Sequence, residues 1–176
     1  MENNYYEQMI SEISNTLSKV DNGQVNQLLE AIISSNRVFI AGAGRSGFIL
    51  RCFAMRLMHL GLRVFVIGET TTPGISDRDL LLIGSGSGET SGVYLLAREA
   101  KKHNVKLGLI TASPASTLAS LADYKVLVIS DSASVQPKGS LFEQSMLLVV
   151  DAMIVKLVQK LKVSPDFMLS NHANLE

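Results

Sequence analysis

The sequence is poor in the residues that disulfide-stapled and metal-stapled proteins depend on. Cys52 is its one cysteine, so no internal disulfide can form, and the apolar pattern around it marks a small core residue. The three histidines, His59, His103 and His172, lie far apart and have no cysteine beside them, so neither a metal nor another cofactor is expected. Tryptophan is missing, aromatic residues make up 6%, and the formal net charge is zero. No basic run or aromatic-basic interleaving occurs, which argues against a nucleic-acid or membrane surface. The longest nearly apolar stretch, 146–155, is interrupted by Asp151 and is too short to span a bilayer. The opening residues, Met1-Glu2-Asn3-Asn4-Tyr5-Tyr6, lack the basic-then-apolar pattern of a signal peptide. A cytoplasmic protein is therefore expected. With 47% apolar and 18% charged residues, disorder is excluded, and 176 residues suit one domain with a substantial core.

What is present is an alternation of apolar runs with helical periodicity. Residues 1–34 read as two N-terminal helices, 37–161 as an α/β core, and 164–176 as a final helix and tail. Strands are expected at 37–41, 62–67, 79–83, 105–110 and 124–129, with helices at 46–60, 89–103 and 141–161 between and after them. Continuous apolar strands alternating with helices predict a three-layer, doubly wound, five-stranded parallel sheet of the flavodoxin-like type.

Two of the strand-to-helix turns are rich in glycine. The first is Ala41-Gly42-Ala43-Gly44-Arg45-Ser46-Gly47, and the second is Gly84-Ser85-Gly86-Ser87-Gly88-Glu89-Thr90. Turns of this kind bind phosphate, because glycines allow close backbone approach and the N–H groups of the first helical turn face the anion. The first satisfies G-x-G-x-x-G, and Glu69 sits near the distance of a ribose-binding acid, so a nicotinamide enzyme is a competing reading. Two features weigh against it: the chain leaves little room for a substrate domain, and Arg45 and Ser46 suit a sugar phosphate better than a pyrophosphate. In the second turn, Ser85, Ser87 and Thr90 exceed the single hydroxyl that capping requires.

Ser85-Gly86-Ser87-Gly88-Glu89-Thr90 is similar to the phosphate loop of the sugar isomerase (SIS) domain. The likeness continues through Gly42–Gly47, 54–61 (Ala-Met-Arg-Leu-Met-His-Leu-Gly), 68–73 (Gly-Glu-Thr-Thr-Thr-Pro), Leu141-Phe142-Glu143 and 172–176 (His-Ala-Asn-Leu-Glu). Together these segments resemble the 6-phospho-3-hexuloisomerases over most of the chain. The resemblance implies conversion of D-arabino-3-hexulose 6-phosphate to D-fructose 6-phosphate, the second step of formaldehyde fixation through ribulose monophosphate. It also implies a homotetramer whose active sites borrow residues from neighbours. The chain departs from the family pattern at Pro137-Lys138-Gly139-Ser140 and at Asn171. Two alternatives stay open: another phosphosugar aldose–ketose isomerase, and a non-catalytic module that senses a sugar phosphate.

Moving a carbonyl from C3 to C2 through a cis-enediol needs a base and donors for the developing oxyanion. Glu143 is the candidate base by resemblance, although Ser140-Leu141-Phe142-Glu143 also reads as a capping box. His59 falls at helical spacing with Phe48, Cys52 and Met55; it and His172 are candidates for proton transfer or substrate contact. Gly44, Arg45, Ser46, Ser85, Ser87, Glu89 and Thr90 are the candidate substrate and phosphate residues. His103 reads as a cation at a helix C-terminus. Asp151 lies in a helix apolar on nearly every side, which is expected to be buried by the sheet and by another subunit, with Arg51 or Arg56 supplying the cation it needs.

Overall fold

A computed structural model describes residues 4–130 and 133–175. The elements are α1 (Tyr5–Leu17), α2 (Asn22–Ser34), β1 (Val38–Gly42), α3 (Gly44–His59), β2 (Val64–Val66), β3 (Leu80–Gly84), α4 (Ser91–Lys102), β4 (Lys106–Thr111), α5 (Thr117–Leu121), β5 (Tyr124–Leu127), α6 (Ser140–Leu161) and α7 (Pro165–Ser170). All five strands are parallel, in the order β2-β1-β3-β4-β5. The expected doubly wound sheet is therefore observed. Strand ends differ from the sequence reading by a residue or two: β1, β3 and β4 start and end one residue later, and β2 and β5 are shorter than their apolar runs.

Alternation along the strands sorts the core into two layers. Val38, Ile40, Leu80 and Leu82 face α2, α3 and α6, while Phe39, Ala41, Leu81 and Ile83 face α4 and α5. Each face buries apolar side chains against helices, which is why the strands read as unbroken apolar runs. α1 packs outside this sandwich on α6, and α7 packs on α3. The α3 stripe that enters the core is Ser46, Gly47, Leu50, Phe53, Ala54 and Leu57.

That stripe corrects one expectation. Cys52 is exposed, and so are Phe48 and Met55 on its face. The face repeats apolar residues at helical spacing but turns away from the sheet. Asp151 is also exposed; Arg51 pairs with Glu69, and Arg56 Nη1 lies 3.5 Å from His59 Nδ1. Within one chain, α6 packs against α3, α1 and α2, and Leu148, Asp151 and Val155 remain on an open face.

β1 and β3 are neighbours although β2 comes between them in sequence. This is the topological switch point, where ligands bind beyond the strand C-termini in such sheets. Gly42 and Gly84 are partners across that pair, so both glycine-rich turns leave the sheet side by side. Close approach demands Gly47: a Cβ there would stand 2.6 Å from the Gly42 carbonyl oxygen.

Candidate functional site

Seven helices are present among the described residues, and their N-termini fall into two groups. α1, α2, α5 and α7 are capped by the side chains of Asn4, Asp21, Ser116 and Ser164. α3, α4 and α6 begin at Ala43, Thr90 and Gly139 with no side-chain cap bond. These three helices start from the two glycine-rich turns and from the loop before Glu143. The first-turn N–H groups of α3 and α4 are left to an outside acceptor, whereas the Ser140 N–H that opens α6 donates to the Pro137 carbonyl at 3.0 Å.

A cleft of about 710 Å³ opens among these elements. Ser46 from the first turn, Gly86 and Ser87 from the second, and Glu143 from α6 all line it. Its outer wall is the loop before α6, which contributes Ser134, Gln136 and Lys138. The cleft thus joins residues of the two glycine-rich turns, several serine hydroxyls and a carboxylate.

Glu143 does not complete the capping box. Gly139, at φ 94°, takes the cap position one residue early, so Ser140 becomes the first helical residue. The Glu143 carboxylate then lies a full turn inside the helix and meets Arg45 instead, Nε to Oε2 at 2.8 Å. The Glu143 side chain is 15% exposed, and Arg45 also approaches Ser140 Oγ at 3.5 Å. The carboxylate is thereby held at the cleft without being used to cap the helix.

The remaining candidates divide. Ser85 and Thr90 act inside the second turn: Ser85 Oγ accepts from the Gly88 N–H (3.1 Å) and meets Thr90 Oγ1 at 3.3 Å. Ser87, which is exposed, accepts from the Glu89 N–H at 3.2 Å. Gly44 opens α3 beside the cleft. Glu89 turns to α5, accepting from Thr117 N–H (2.6 Å) and Oγ1 (2.5 Å). Those two donors, the hydroxyl first, hold its carboxyl below the usual carboxylate range. Glu89 therefore braces the turn against α5.

His59 and His172 come together, but not at the cleft. Their rings stack at 4.8 Å, and Asn171 Nδ2 donates to the His59 carbonyl at 3.2 Å. His59 is buried at the C-terminal end of α3, thirteen residues from Ser46, or about 20 Å along the helix. The tail thus docks on α3 of its own chain; Glu176 lies outside the described residues. His103 ends α4 and faces Glu99 at 3.7 Å. Sequence reasoning did not select Gln136 or Lys138 for the site, since neither belongs to a turn with recognisable spacing. Among the described residues no His/Cys/Asp/Glu cluster could hold a metal, and no helix is long and apolar enough to cross a membrane.

A doubly wound sheet with a phosphate-type cleft at its switch point defines a sugar-phosphate-handling α/β domain. The SIS domain family matches residues 31–156. The chain is 46% identical to a 3-hexulose-6-phosphate isomerase of Mycobacterium gastri, over 94% of this chain and 86% of that one. It is 38% identical to the Bacillus subtilis 3-hexulose-6-phosphate isomerase, covering 98% and 97%. A crystal structure from Methanococcus jannaschii, for which that same molecular function was inferred, superposes with a TM-score of 0.89 at 33% identity, over 95% of this chain and 98% of that one. The chain belongs to the SIS domain family and, within it, to the 3-hexulose-6-phosphate isomerases.

Proposed function

We propose that the protein isomerises D-arabino-3-hexulose 6-phosphate to D-fructose 6-phosphate through a cis-enediol, with Glu143 as the base. One observation carries this reading: the Glu143 carboxylate shares a cleft with Ser46, Ser87 and uncapped helix N-termini. The phosphate sits on those N–H groups and on the hydroxyls of Ser46 and Ser87, while Ser85 and Thr90 keep the second turn in shape. Glu143 removes the C2 proton as the C3 carbonyl becomes a hydroxyl, and returns it to C3 as the C2 carbonyl forms. The hydroxyl proton moves from the C2 oxygen to the C3 oxygen, so the reaction is balanced without an external oxidant. Arg45, paired with Glu143 and largely exposed, is placed to turn toward the phosphate or a sugar oxygen.

The reading includes a homotetramer, working in the cytoplasm, in which a neighbouring subunit supplies His59 and His172. Support comes from the open apolar faces of α3 and α6, with Phe48 at 68% and Val155 at 57% exposure, and from the remoteness of both histidines from their own cleft. The test is conversion of enzymatically generated hexulose 6-phosphate by wild type and Glu143→Gln. Because Glu143 caps nothing, the variant should stay folded and lose turnover by at least about 10²-fold. Turnover retained in the variant would move the base elsewhere, and an inactive wild type would refute the reaction.

A further inference from the structure

The outer wall of the cleft is fastened from a distance. Glu12, on α1, reaches across to the loop before α6 and takes three hydrogen bonds: from Ser134 Oγ (2.6 Å), Val135 N–H (2.9 Å) and Gln136 Nε2 (2.9 Å). Ser134 Oγ in turn accepts from the Gln136 N–H at 3.1 Å. These donors, Ser134 first, hold the Glu12 carboxyl below its usual range.

The arrangement fixes which way the Gln136 amide faces. A carboxylate only accepts, so the NH₂ end must face Glu12 and the carbonyl end must face away. Glu12 is not part of the cleft lining, whereas Gln136 is. The carbonyl Oε1 is the end turned away from Glu12, on a side chain that lines the cleft. Gln136 is 8% exposed, and its Oε1 is buried with no hydrogen-bond partner among the described residues. A buried acceptor without a donor is destabilising, and a bound ligand that donates to it removes that cost. An amide oxygen cannot accept from a phosphate dianion, which carries no proton to give. It can accept from a sugar hydroxyl.

We propose that Gln136 is a specificity-determining residue, whose Oε1 accepts a hydrogen bond from a hydroxyl of the bound sugar, and that Glu12 is the residue that positions it. The proposal rests on the phosphosugar reading of the same cleft. It divides the site into a phosphate end, built from the glycine-rich turns, and a hydroxyl-reading end, built on a loop held by α1.

The test is calorimetric titration of wild type, Gln136→Met and Glu12→Gln with fructose 6-phosphate and, separately, with inorganic phosphate, beside kcat and KM for the hexulose. Gln136→Met keeps the length and loses the acceptor. Its affinity for fructose 6-phosphate should fall about tenfold while inorganic phosphate binds within twofold of wild type. Glu12→Gln should raise KM several-fold with kcat within twofold, because the loop loses its all-acceptor anchor. Unchanged fructose 6-phosphate affinity in folded Gln136→Met overturns the assignment, as does a parallel loss of phosphate binding. A wild type that binds phosphate but no fructose 6-phosphate overturns the phosphosugar reading itself, and this inference with it.

Discussion

Gly88→Ala probes how tightly the phosphate turn is fitted. Gly88 sits at φ 66°, a conformation that costs alanine about 1–2 kcal/mol. Its Cβ would also overlap the Ser116 hydroxyl and Cβ. Ser116 cannot simply yield, because its Oγ caps α5 through the Ala119 N–H and donates to the Ser113 carbonyl at 3.1 Å. Overpacking of this kind costs about 1–3 kcal/mol. The two contributions give about 2–5 kcal/mol, or a fall in Tm on the order of 10 °C for a chain of this size. Ser116→Gly removes the obstacle and costs little as a cap. Combined with Gly88→Ala, it should restore the steric part and leave only the backbone strain. The coupling in a double-mutant cycle, read from urea unfolding, should be about 1–3 kcal/mol. Inorganic phosphate affinity should fall about tenfold in Gly88→Ala, since the Gly88 N–H holds Ser85, and largely recover in the double variant. Additivity of the two substitutions within about 0.5 kcal/mol would refute the reasoning, because it would mean that the turn and α5 do not press on each other.

Two further expectations follow from charges. Asp79, fully buried, faces Arg37 and Ser76; burial pushes its carboxyl up, but the hydrogen bonds from both residues and the Arg37 charge outweigh this and hold it low. A depressed native value means that its contribution to stability is present above the unfolded pKa near 4 and is lost as pH falls through the native one. Asp79→Asn should therefore cost about 3 kcal/mol at pH 7 and progressively less toward pH 2.5, measured as urea midpoints across that range. Arg45→Gln should leave Tm within a few degrees, since its pair with Glu143 is exposed on the arginine side, yet raise KM for the hexulose phosphate about tenfold in steady-state assays.

The layered sheet was legible because period and punctuation agreed: unbroken runs such as Leu80–Gly84 are buried on both faces, and glycine turns follow two of the strands. The two glycine-rich turns were legible for the same reason. Side-chain direction was not. Phe48, Cys52 and Met55 have helical spacing, but nothing in spacing says which stripe of α3 meets the sheet; the smaller Ser46 and Gly47 do, because β1 must approach closely. Ser140 looked like a cap because its pattern fits one, and only the left-handed Gly139 just before it shifts the helix start. Gln136 escaped notice because its partner, Glu12, is 124 residues away in sequence.

The division among helix N-termini has a consequence for how the protein can improve. Capping α3 with an aspartate in place of Ala43 would be the obvious stabilising substitution, worth about 1 kcal/mol. Under the proposed function it would also put a fixed anion where the substrate's phosphate binds. The bare starts of α3 and α4 would then be a reserve of stability that selection cannot claim without surrendering the ligand. On that reading the protein without ligand stands below its own optimum, and a bound phosphate would complete the two helices.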